Sequence, residues 1–130
     1  MSDQSYSQGM RVRREVLGDE YVDRATQGAT PFTAPFQELI TRYAWGAVWA
    51  RDGLDRRTRS AITLAVLTAL GRERELALHV RAARRNGLSE AEIGEVLLHT
   101  AIYAGVPAAN AAIAVAKREL AADGADGETP

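Results

Sequence analysis

Apolar side chains recur three and four positions apart along most of the chain, and glycine, proline or a capping residue interrupts each run. Residues 1–9 are small and polar and lack this period, so they are expected to be loose. Over 11–27, charged residues alternate with Val12, Val16, Leu17, Tyr21, Val22 and Ala25. Gly18-Asp19 interrupts that run, which predicts two short helices with Asp19 capping the second. A loop over 28–35 follows, and Pro35 suits the first turn of a helix over 36–51. Leu39, Ile40, Tyr43, Ala44, Ala47 and Val48 form the apolar face of that helix. Trp45 and Trp49 lie four apart and off the stripe, suited to packing against another subunit or the N-terminal arm, or to walling a planar ligand.

Asp52-Gly53 ends this helix, and Asp55 is placed to cap the next. There Ile62, Leu64, Ala65, Val66, Leu67, Ala69 and Leu70 are apolar nearly all round, as in a helix buried inside a bundle or an oligomer. Gly71 separates it from a helix over 72–86 with core face Leu76, Val80 and Ala83, and Gly87 supplies a left-handed terminus. Ser89 and Glu92 have the spacing of a capping box. They open a helix whose buried stripe is Ile93, Val96, Leu97, Thr100, Ala101 and Ala104, ending at Gly105. Pro107 opens a last, alanine-rich helix through Ala122, and 123–130 reads as a disordered tail. The expected fold is an all-α bundle, a single domain over 1–122. Its apolar helix surface exceeds what one small domain can hide, so self-association is expected.

Composition narrows the function. A chain of 130 residues, 46% apolar and rich in alanine and leucine, fits one helical domain. A net charge of -1 argues against nucleic-acid binding, which needs a basic surplus. Lys117 is the sole lysine; the arginine bias fits a GC-rich genome, and secondarily the clamping of carboxylates. The absence of cysteine excludes disulfides, thiolate metal sites and thiol redox chemistry. No apolar run reaches membrane-span length and no signal-peptide core is present, so the expected setting is cytoplasmic, without a membrane partner.

Both histidines follow a glutamate by four residues, as Glu75/His79 and Glu95/His99. On a helix such pairs share a face, and a carboxylate beside an imidazole raises its pKa and orients the ring. The same spacing also serves as a plain helix-stabilising contact. Glu95, His99 and Tyr103 fit a polar stripe at a subunit contact. Two such pairs facing each other would suit iron or zinc, yet di-iron bundles use Glu-x-x-His with further glutamates, so no metal site is expected. Phosphate loops, dinucleotide fingerprints and a serine elbow are missing. Arg51, Arg56, Arg57 and Arg59 cluster around one helix start, either solvated or holding a dicarboxylate.

The strings REVLGDEYVDRA and PFQELITRYAWG, and the run from RYAWGAVWARDGLDRR through EVLLHTAIYAGVPAANAA, resemble the carboxymuconolactone decarboxylase family over about 11–120. The wider alkylhydroperoxidase D-like superfamily places two cysteines and a histidine on the corresponding helix. Arg72 and Glu75 occupy the cysteine positions here and His79 remains, so peroxidase chemistry has no nucleophile. The resemblance implies cofactor-independent decarboxylation of a small-molecule lactone, 4-carboxymuconolactone, to β-ketoadipate enol-lactone in the protocatechuate branch of aromatic catabolism. It also implies an alkylhydroperoxidase D-like helical fold assembled as a ring-like homohexamer. In that chemistry His79 would deliver a proton or stabilise the oxyanion, with Glu75 setting its tautomer and pKa. Arg51 and Arg59 would hold substrate carboxylate, Trp45 would wall the ring, and His99 and Tyr103 would be outer contacts. A related enzyme acting on another lactone or a secondary metabolite, and a metal-binding or non-catalytic assembly, stay open.

Overall fold

The computed structural model describes residues 2–127 and the side chains of 4–123, and no strand occurs among the described residues. The chain divides into two compact units, Met1–Asp55 and Arg56–Pro130. The first holds α1 (Ser2–Leu17), α2 (Asp19–Gln27), α3 (Ala34–Ile40) and a π-helical continuation of α3 over Thr41–Trp49. The second holds α4 (Arg56–Leu70), α5 (Glu73–Arg85), α6 (Glu90–Ala104) and α7 (Val106–Gly127).

Unit one departs from the sequence expectation in three places. Residues 2–9 are helical, because α1 packs along the π-helical segment through two glycines. A Cβ on Gly9 would lie 2.0 Å from the Thr41 carbonyl oxygen, and one on Gly46 would lie 2.7 Å from that of Ser5. Contact that close needs glycine on both helices, so the polar N-terminus is held by backbone approach rather than by an apolar stripe. One turn on, Arg13 is buried and donates to Thr41 Oγ1 (3.1 Å) and Gln37 Oε1 (2.9 Å). Burial lowers its pKa. Second, Asp19 is the first residue of α2 rather than its cap; Gly18 holds the N-cap position, and Asp19 pairs with Arg14 at 3.1 Å.

The third departure concerns the helix expected over 36–51. Pro35 lies in its first turn as anticipated, but from Thr41 the winding is π. Thr41 Oγ1 bonds back to the Gln37 carbonyl at 2.8 Å at this junction, and such a hydroxyl competes with the ladder. Bonds closing over five residues turn each residue through a smaller angle than the α pattern assumes. The expected stripe is thereby rotated outward. Within the π segment Tyr43 and Val48 are exposed while Trp45 is buried at 6% exposure; Leu39 precedes the segment and is exposed independently of its winding.

Unit two follows its sequence closely. Leu64, Leu76, Val80, Ala83, Leu88, Ile93, Leu97, Ala112, Val115 and Ala116 form its core. Ser89 and Glu92 make the complete capping box of α6, and Gly87 turns the chain at φ 102°, a conformation that favours glycine. The Glu92 carboxylate also accepts from Arg57, which donates to the Gly87 carbonyl as well (3.3 Å), tying α4 to the α5–α6 turn. The Ser89 backbone N–H first, and Arg57 second, lower the pKa of Glu92. Of the two settings open for α4, burial inside this one chain does not hold for all its apolar residues, since Ile62, Val66 and Leu70 are exposed. Its buried row is Ser60, Leu64 and Thr68, four apart. Ser60 Oγ accepts from Asn86 Nδ2 at 2.9 Å. Backbone helix continues in α7 to Gly127, and 128–130, the end of the expected tail, lie outside the described residues.

Candidate active site

α5 carries Glu73 and Glu75 in its first turn and Arg84 and Arg85 in its last, the order its dipole favours. Leu76, Val80 and Ala83 sink into the core and so fix the rotation of the helix. His79, between the first two, is left half-buried, and its Nδ1 is wholly buried with no hydrogen-bond partner among the described residues. Burial lowers its pKa to about 4, while the charge of Glu75 acts in the opposite sense and more weakly. The expected upward shift is thus reversed. Removing the imidazolium from water outweighs a carboxylate that is itself exposed and screened. Glu75 makes no hydrogen bond to Nδ1 and acts on the ring by charge.

A ring with that pKa is neutral at pH 7, with one N–H donor and one lone-pair acceptor. An unpaired buried nitrogen costs stability, roughly 1–3 kcal/mol. A half-buried neutral imidazole can donate its one N–H to a developing oxyanion.

The other expected site residues divide between the units. Trp45 and Trp49 lie in the first, with ring centroids 5.2 Å apart and planes tilted by 35°. Arg51 follows them, exposed, its backbone N–H bonded to the Val48 carbonyl at 3.1 Å. In the second unit, Arg59 is half-buried on α4, while His99 and Tyr103 are exposed on α6 with rings 5.2 Å apart. His99 and Glu95 line an open groove of 590 Å³ against Ala61, Ile62 and Ala65 of α4. Glu75/His79, Trp45/Trp49 and His99/Tyr103 are therefore the pairs brought together. No group of three or more metal-ligating side chains gathers among the described residues. No described helix is long and apolar enough to cross a membrane.

Sequence reading passed over Arg13 and Thr68, a buried cation and a buried hydroxyl. For Thr68 the available signal was its spacing from Ser60 and Leu64, which puts polar residues on a buried row. Arg13 gave no such signal, because its acceptors lie 24 and 28 residues away.

Comparison with known proteins bears on this arrangement. The profile of the carboxymuconolactone decarboxylase family matches residues 34–118. The 4-carboxymuconolactone decarboxylase of Acinetobacter baylyi is 50% identical over 115 residues, covering 88% of this chain and 86% of that protein. The nitrosuccinic acid decarboxylase npaB of Metarhizium robertsii is 48% identical over 115 residues, 88% of this chain and 80% of that protein. A 4-carboxymuconolactone decarboxylase sequence from Pseudomonas putida is 54% identical over 43 residues, 33% of this chain and 90% of that sequence.

Proposed function

The chain belongs to the carboxymuconolactone decarboxylase family, and from that premise we propose that it is a carboxy-lyase converting 4-carboxymuconolactone to β-ketoadipate enol-lactone and carbon dioxide. The observation carrying this reading is 50% identity across 88% of the chain to a decarboxylase of that name. The chemistry needs no cofactor. The electron pair left by carbon dioxide passes through the ring double bond to the lactone carbonyl, giving a dienolate, and one proton from the medium restores the lactone. The protein then has to hold the retained carboxymethyl arm and stabilise charge on the carbonyl oxygen.

His79 is the donor to that oxygen. The neutral ring supports donation from imidazole rather than acid catalysis by imidazolium. Glu75, one turn earlier on the same helix, is the candidate to orient the ring once substrate excludes water. Arg59 and Arg51 are the candidates for the carboxymethyl arm, and Trp45 for the wall beside the ring. His99 and Tyr103 are outer contacts. The protein acts in the cytoplasm as a homo-oligomer, with six copies the number the family resemblance implies.

The test is an ultraviolet assay of chelator-treated protein with enzymatically generated 4-carboxymuconolactone. Steady formation of enol-lactone is expected; its absence overturns the substrate assignment. A second reading rests on the 48%-identical relative named for nitrosuccinic acid. That acid also has two carboxylates, and a nitro group can take up the electron pair as the lactone carbonyl does. Turnover of nitrosuccinate with no turnover of the lactone would replace the first reading by the second.

A further inference from the structure

Arg13 is the one charged residue buried among the described residues, and the proposed reaction does not use it. Its guanidinium forks, Nη1 donating to Thr41 Oγ1 at 3.1 Å and Nη2 to Gln37 Oε1 at 2.9 Å. Neither acceptor is charged, so the pair offsets the burial of a cation less well than a carboxylate would. A guanidinium only donates, so the Thr41 hydroxyl has to accept from Arg13 and send its own proton elsewhere. That proton goes to the Gln37 carbonyl at 2.8 Å, an oxygen that also accepts the Thr41 backbone N–H. The fork thus spans Gln37 and Thr41, and Thr41 is where the winding turns from α to π. The same register is met by the rest of α1. Bonds in the π segment join residues five apart, so Thr41 and Gly46 lie over one another; α winding would leave them roughly 140° apart. A Cβ on Gly9 would lie 2.0 Å from the Thr41 carbonyl oxygen and 3.1 Å from the Gly46 nitrogen, so α1 meets both at one place. Ser5, Gly9 and Arg13, four apart, form a single row on α1 matched to the π register.

We propose, resting on the reading of Trp45 as the wall beside the substrate ring, that Arg13 is a positioning residue for the reaction. By fixing where π winding begins, it sets the orientation of Trp45. Trp45 lies four residues past Thr41, buried, with its ring centroid 5.2 Å from that of Trp49. Return of this stretch to α winding would rotate Trp45 about the helix axis by on the order of 60° relative to Thr41, enough to carry a flat ring off its seat. Arg13 acts through Thr41 and Gln37, not by contact with the substrate. Fixing one register against another is the use for which buried polar and charged groups are best attested.

Trp45 and Trp49 are the two tryptophans of the chain, so circular dichroism of the folded protein reads their mutual orientation. Arg13→Met removes the fork and keeps the bulk. Exchanging a buried cation for an apolar side chain is often neutral for folding, so the variant should unfold in urea at a similar midpoint. While folded, it should lose most of the tryptophan exciton couplet and fluoresce at longer wavelength. With 4-carboxymuconolactone its KM should rise about tenfold, the scale of one well-placed aromatic contact, with kcat within about twofold. Added to Trp45→Ala, which should raise KM by itself, Arg13→Met should cost nothing more. A parent-like couplet in Arg13→Met, or KM increases that multiply in the double variant, would overturn the proposal and leave Arg13 a purely structural residue. An unchanged KM in Trp45→Ala would overturn the reading of Trp45 and the role of Arg13 with it. An unchanged KM in Arg13→Met, beside a raised one in Trp45→Ala, would overturn the role of Arg13 alone. If Arg13→Met does not fold, Gln37→Met, at a half-buried position, removes one acceptor of the fork and should move the same readouts in the same direction. The couplet needs no substrate, so it decides the register even if the lactone is not turned over.

Discussion

His79 combines three properties that rarely coincide: a helix position fixed by Leu76 and Val80, a wholly buried Nδ1 without a partner, and a pKa held near 4 by burial. Each has a measurable consequence. If the neutral ring donates to an oxyanion, His79→Ala should lower kcat about 100- to 1,000-fold, whereas His79→Gln, which keeps a donor, should retain more activity. Equal losses in the two variants would favour proton transfer by the ring instead. The neutral form also persists well below pH 6, so the activity profile should show no fall on the alkaline side of 6.5, as an imidazolium acid would require. Stability gives a second readout. With a folded pKa near 4 and an unfolded value of 6.5, the unfolded chain binds more protons between those limits. Stability is therefore full above pH 6.5 and declines as pH falls towards 4, by about 3 kcal/mol. Urea titrations at pH 7 and pH 4.5 should show that loss in the parent and a smaller one in His79→Gln.

At the scale of elements, local signals were legible and long-range ones were not. Ser89, Glu92 and Gly87 each act within a few residues, and the capping box and the turn stand where the sequence puts them. The inner face of α5 was equally plain from Leu76, Val80 and Ala83. Nothing around residues 1–9 announces a helix, because what orders it is Gly46 and Thr41, more than thirty residues away. Trp45, off the apolar stripe by sequence, is buried on the π-helical segment, where a stripe that assumes α winding does not apply. The glycine contact should thus be the main tie of the N-terminal half of α1. Gly9→Ala, with a Cβ directed at a backbone oxygen that has little room to yield, should cost about 3 kcal/mol in urea unfolding. Ser7→Ala, on an exposed position of α1, should stay within roughly 0.5 kcal/mol. Equal effects would mean that the close approach does not hold the helix.

For the whole molecule the informative feature is where large apolar side chains remain outside. Ile62, Val66 and Leu70 on α4, Leu98, Ile102 and Tyr103 on α6, and Val106 at the start of α7 are all exposed. On a monomer such clustering is unusual; rows of this kind are what subunit contacts cover. The sequence signalled this surplus only as a total, since periodicity says which residues share a face but not which face another chain will meet. Ile102, at 76% exposure, separates the possibilities. If the chain is monomeric, Ile102→Glu exchanges one solvated side chain for another, and light scattering should give 14.1 kDa for both proteins. If α6 lies against another copy, the parent should run at a multiple of that mass, and the buried glutamate should break it into smaller species. The second outcome is expected. Its accompanying activity then locates the site: loss of turnover in a variant that stays folded would mean that each active centre needs the neighbouring copy, while full turnover would assign it to one chain.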